Sequence, residues 1–184
     1  MEKEKRTLKF SEIFGFGAGG MFTYGFQLMI TGYYLLYYMT DIAGFSTVLA
    51  ASLYSTIQII KMVTMLFSGV IIDAINFRSG KYRTWVLVSG IGLGLFFPLS
   101  FFYYPLPQSV YVVVFMIIYT LQTLFYNVGW TAMRAVIGKV AKNKADVVAL
   151  NTSAQSAGTI SSILYGYIGY PILGIALWAG TKQA

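Results

Sequence analysis

From Thr84 to Met133 the chain carries no Asp, Glu, Lys or Arg, and from Ile13 to Ile72 the only charged residues are Asp41 and Lys61. Such runs constrain the fold more than any other feature. An uncharged apolar stretch longer than about 18 residues reads as a membrane-spanning helix, because hydrocarbon forces every backbone polar group to be satisfied within its own segment. The pattern predicts five spans, over residues 13–39, 47–72, 84–103, 110–133 and 147–173. The links "AGFST" and "PLPQS" are rich in turn formers. The apolar tail "PILGIALWAGTKQA" is too short to recross a bilayer, which takes about 20 residues.

The charges that remain are sorted by loop. Lys3, Lys5, Arg6 and Lys9 precede the first span; Arg78, Lys81 and Arg83 lie between the second and third; Arg134, Lys139, Lys142 and Lys144 lie between the fourth and fifth. The alternate loops "TDIAGFST" and "YYPLPQS" hold no Lys or Arg, and Lys182 is the single exception on that side. This is the positive-inside pattern. It predicts a multi-pass protein of the cell membrane with a cytoplasmic N-terminus over residues 1–12, followed by a transmembrane bundle over 13–184. The same segregation argues against nucleic acid as the partner of the +7 charge. The mixed charges at the start and the long run after them do not describe a cleavable signal.

Composition narrows the chemistry. With no His and no Cys, zinc sites of the Cys/His type, disulfides, thiol nucleophiles and histidine acid–base catalysis are excluded. Only 10% of residues are charged, against about 25% in a soluble domain. We expect no enzyme, no cofactor and no metal site. The 15 Tyr and 14 Phe cluster near the ends of the runs, as interfacial aromatics do.

Two motifs mislead. "GFGAGG" places Gly15, Gly17 and Gly20 in a dinucleotide-like spacing, but no strand precedes it and a membrane-length run follows. Close helix packing through a Gly15/Gly19 small-xxx-small pair is the better reading. "RSGKYRT" fails as a phosphate loop, since Ile75 and Tyr82 replace the required Gly and Ser/Thr.

Two segments carry a family resemblance. "LLYYMTDIAGFST" resembles the end of helix one in the glycoside–pentoside–hexuronide:cation symporters, the melibiose permease group of the major facilitators. "GVIIDAINFRSGKYRTW" is similar to that group's loop between helices two and three, with Gly69, Asp73, Arg78, Gly80, Lys81 and Arg83 meeting its frame. The resemblance implies an all-α integral membrane fold in which this chain is most of the N-terminal half, five of twelve helices, stopping before a sixth. A natural five-span protein is the alternative. It also implies that Asp73, Arg78, Lys81 and Arg83 form a cytoplasmic latch that breaks when the transporter opens; a static loop ion pair is the plainer reading. The positions that hold cation-binding acids in the family fall here on Lys61, Met65, Phe22 and Asn127.

Lys61 stands 12 residues before Asp73, roughly 18 Å along a helix, and its stem reaches only about 6 Å. An intramembrane charge is costly unless paired or wetted, so it usually faces a cavity. Either the ammonium occupies the place of sodium, or it is a structural partner for helices beyond this chain. Gln27, Asn127, Trp130 and Gln155 supply amides and an aromatic plate of the kind that suits sugar hydroxyls and a sugar's C–H face; helix–helix hydrogen bonding is the competing use. The expected function is a membrane transporter of sugars or glycosides, hexuronides among them, working by alternating access without sodium. The cavity is expected at Lys61, Gln27, Asn127, Trp130 and Gln155. The alternative is a non-transporting sensor or assembly partner that keeps the fold. The expected partners are a small-molecule sugar or glycoside, the lipid bilayer and the remaining helices of the same transporter.

Overall fold

The computed structural model describes residues 7–21, 25, 27, 30–75, 77, 78 and 80–181. Lys3, Lys5, Arg6, Phe22 and Lys182, named above, lie outside them. The chain forms two compact units, one from 1–35 with 141–184 and one from 36–140.

The second unit is built on three helices: α3 (Thr47–Ala74), α4 (Lys81–Ser100) and α5 (Gln108–Val140). Among the described residues these three are long and apolar enough to cross a membrane. Local chemistry sets their ends. Gly44 takes φ 70°, letting the chain turn, and the Ser46 hydroxyl caps α3 by accepting the Leu49 amide at 3.3 Å. Ile75 is extended and ends the helix, and Gly80 at φ 101° turns the chain into α4. Pro98 sits in the last turn of α4, just before the loop to α5.

Helix α5 packs against both of the others. Along α3, the pairs run in the same order on both helices: Lys61 and Thr64 meet Asn127, Ser68 meets Thr131, and Ile72 meets Val128 and Ala132. The two helices are therefore parallel. Along α4 the order reverses, with Phe96 stacked on Phe125 at 5.6 Å and Trp85 in the cluster of Val128 and Ala132. At the other end an aromatic cluster closes the unit. The Tyr38 hydroxyl donates to the Phe102 carbonyl at 2.8 Å and lies 2.7 Å from the Tyr111 hydroxyl, with Phe45 and Phe115 against these rings. Tyr38, Phe45, Tyr111 and Phe115 are thus core residues, whereas position alone makes them interfacial. Large apolar side chains remain exposed on all three helices, Leu66, Ile91 and Val113 among them, as suits lipid or neighbouring helices.

The first unit joins α1 (Phe10–Phe16) and the π-type stretches Gly17–Met21 and Ile30–Tyr34 to α6 (Lys144–Thr181). A continuous α-helix over 13–39 is the sequence expectation. Instead the α-helix gives way to π-type backbone, with a short α2 (Leu35–Tyr37) and a third π-type stretch, Tyr38–Ile42, beyond it. Glycines at 15, 17, 19 and 20 weaken the α preference where the change begins. Close packing falls one register away from the expected pair. Gly15 and Gly19 face open space, while a Cβ on Gly17 would collide with Ser153 and one on Gly25 with Ser161. The Ser153 hydroxyl donates to the Ile13 carbonyl at 2.7 Å. Helix α6 also runs on to Thr181, past the predicted end of its span.

Candidate functional site

Lys61 lies in the middle of α3, and neighbouring residues of α5 hold it at both ends. The Asn127 amide donates to the Lys61 backbone carbonyl at 3.0 Å and to the Thr64 hydroxyl at 2.7 Å. Thr64 in turn donates to the Ile60 carbonyl at 2.8 Å, so its oxygen lone pairs are turned toward Asn127. One residue back on α5, the Tyr126 ring lies beneath the ammonium, 5.8 Å from Nζ to the centroid. That is near the outer limit of a cation–π contact. Tyr126 stacks on Trp130 at 6.3 Å with the planes 12° apart, and the Arg134 guanidinium sits 4.7 Å over Trp130.

The spacing i, i+4, i+8 puts these three α5 side chains on one face. Together they make an aromatic column with a cation at each end. Lys61 is half-buried, and no carboxylate pairs with it among the described residues. Asp41 is held by Thr40, Asp73 by Lys81, and Asp146 by groups near the N-terminus.

Three of the five expected cavity residues, Lys61, Asn127 and Trp130, come together here. Asn127 is 2% exposed and spends its amide nitrogen on α3, so it is a crosslink between helices as well as a neighbour of the ammonium. Gln27 and Gln155 belong to the other unit. Gln27 is buried, and its backbone carbonyl accepts from Thr31 at 2.9 Å; Gln155 is exposed on α6. Sequence reasoning passed over Tyr126, Arg134 and Thr64, although the spacing of the first with Trp130 and Arg134 was there to read.

Of the expected latch, Lys81 and Asp73 form an ion pair at 2.6 Å, with Asp73 74% exposed. Each charge opposes its own helix dipole: the carboxylate ends α3 and the ammonium begins α4. Pairing offsets both. Arg78 lies between the two partners in sequence and Arg83 just after Lys81, without an ion pair to either among the described residues.

A second acid went unnoticed in the sequence. Asp146, fully buried at the start of α6, accepts from the Thr7 amide and hydroxyl, the Leu8 amide and the Lys142 amide. Burial opposes its ionisation, yet these hydrogen bonds outweigh burial and hold the carboxyl below the usual carboxylate range. A groove of about 410 Å³ lies between α3 and α5, walled by Ile60, Val113, Ile117 and Leu121. It is almost wholly apolar and includes none of the expected site residues.

The profile of the family described as MFS/sugar transport protein matches residues 15–183. The chain is 27% identical over 150 residues to the "Putative glycoside/cation symporter YagG" of Escherichia coli (strain K12), covering 80% of this chain and 32% of that protein. It is 23% identical over 180 residues to the "Isoprimeverose transporter" of Lactiplantibacillus pentosus, covering 98% and 37% respectively. A third relative, the "Glucuronide carrier protein homolog" of Escherichia coli (strain K12), is 28% identical over 94 residues, or 51% of this chain and 20% of that protein. The chain thus spans about a third of the length of the first two. These relatives are transporters, not enzymes. A profile match over nearly the whole chain, on an all-helical membrane bundle, shows that the chain belongs to the MFS/sugar transport protein family.

Proposed function

We propose that this chain supplies the N-terminal part of a cell-membrane carrier that moves a sugar or glycoside by alternating access, with its N-terminus in the cytoplasm. In this reading the Lys61 ammonium stands where the family resemblance places a cation-binding acid, so the carrier works without bound sodium. The observation that carries the reading is the fixed ammonium itself. Asn127 secures its backbone, Tyr126 underlies its head, and no carboxylate neutralises it among the described residues. A cation brought in by solution would meet a charge of its own sign there. Met65, one turn on and exposed, offers no oxygen ligand in its place.

The family match and the relatives described as a glycoside/cation symporter and an isoprimeverose transporter support sugar or glycoside as cargo. The Asp73–Lys81 pair is the proposed cytoplasmic latch. Uptake of labelled sugars by proteoliposomes holding the full polypeptide tests the proposal. Saturable uptake in sodium-free buffer supports it. Absence of any uptake would favour a sensor or assembly role instead.

A further inference from the structure

We propose that Gln122 is a recognition residue for the cargo, and that its side-chain amide holds two adjacent hydroxyls of the sugar ring. This rests on the transporter reading above and deepens it by naming a specificity-determining residue and the group it recognises.

Gln122 lies within α5 and is 0% exposed, yet neither its amide oxygen nor its amide nitrogen has a hydrogen-bond partner among the described residues. A buried polar atom left unpaired is costly, and nearly all such atoms in folded chains find partners. Asn127 shows the ordinary use of an amide on this helix. It is almost as deeply buried, and its nitrogen donates to the Lys61 carbonyl and the Thr64 hydroxyl, joining α5 to α3. Gln122 makes no such crosslink among the described residues, so the packing of α5 on its neighbours does not account for it. Local rules are broken chiefly where function requires it. In a carrier, a polar group left unpaired by the fold is paired when cargo binds.

The chemistry of the amide names the group it takes. One planar end offers an acceptor and two donors. Neighbouring ring hydroxyls match it, since one donates to the oxygen while the next accepts from the nitrogen. A cation would use the oxygen alone and a carboxylate the nitrogen alone, so each leaves half of the amide unpaired. The flanking residues suit a sugar as well. Tyr119 stands one turn before Gln122 and Tyr126 one turn after; both are buried, and Tyr126 stacks on Trp130. A ring held by its hydroxyls at the amide turns its C–H face to such aromatic surfaces.

The test uses the full polypeptide in sodium-free proteoliposomes, with methyl β-glucoside, methyl β-galactoside and methyl β-xyloside as probes. The probe taken up fastest is compared with its monodeoxy analogues. In wild type, removing either of two neighbouring hydroxyls should lower uptake about tenfold or more, the scale of one buried hydrogen bond left unmade. Gln122→Met keeps the side-chain length and removes both polar atoms. It should lower uptake of the parent probe by a similar factor and bring the parent and those two analogues within a few fold of one another. Its melting temperature without sugar should rise, because an unpaired buried amide is gone; a structural amide predicts a fall. Gln122→Leu repeats both readouts with a different shape. A lower melting temperature in both variants would show that the amide is paired within the fold, and would overturn the site while leaving a sugar transporter. Unchanged uptake by Gln122→Met, or an unchanged deoxy pattern, would do the same. Uptake of none of the three probes by the wild type would overturn the transporter reading and this site with it.

Discussion

Asn127 donates its side-chain amide to the backbone carbonyl of Lys61, while the residue before it, Tyr126, lies under the ammonium of the same lysine. A single step of α5 thus fixes both the register of α3 and the position of its one cation. The contact is a side chain reaching a backbone atom, so it is insensitive to what occupies position 61. Removing the charge and removing its support are therefore separable.

Asn127→Ala should destabilise the bundle by about 1–3 kcal/mol, the cost of losing hydrogen bonds in a buried setting. Thermal unfolding in detergent measures it. Lys61→Met keeps the accepting carbonyl and should shift the melting temperature much less. Equal losses in the two variants would contradict the division of roles.

The proposed topology rests on the sorting of Lys and Arg between loops. Single cysteines at Arg78 and Gln108 should label from opposite faces of the membrane, Arg78 from the cytoplasm. The chain contains no native cysteine, so each label reports a single position. Labelling of both from one face would overturn the arrangement.

Asp73→Asn removes the acceptor of the exposed Lys81 pair. An exposed pair contributes about 1 kcal/mol or less to stability, so folding and insertion should persist. Transport should fall several-fold if the pair is the latch. Unchanged uptake at equal expression would make it a static loop contact.

Asp146 ties Thr7 and Leu8 to the start of α6. Its folded carboxyl lies below the ordinary range, so the tie adds stability at neutral pH and loses it as pH falls through the carboxylate range. Asp146→Ala at neutral pH should speed amide hydrogen exchange at Thr7 and Leu8, with α3 to α5 unchanged. Unaltered exchange at both amides would show that the segment is held by other contacts.

The helices of the second unit were legible because hydrocarbon admits few alternatives: the long apolar runs within Thr47–Ala74, Lys81–Ser100 and Gln108–Val140 form helices long and apolar enough to cross a membrane. The π-type backbone after Phe16 was not legible, since glycines permit several conformations and do not choose among them. The position of Lys61 was visible as an anomaly, but the use of Asn127 was not. A polar residue on a helix face looks the same whether it serves a cavity or a neighbouring backbone, and only the register of α3 against α5 decides. Nothing in the sequence around Asp146 singles it out. Its partners at Thr7 and Leu8 lie 139 and 138 residues away, beyond any local pattern.

Sodium dependence tests the central claim most directly. Uptake of the transported sugar is measured in proteoliposomes of the wild-type full polypeptide, with choline or sodium as the external cation at equal ionic strength. The Lys61 ammonium in place of a cation-binding acid predicts equal initial rates in the two buffers. A rate that requires sodium would contradict it.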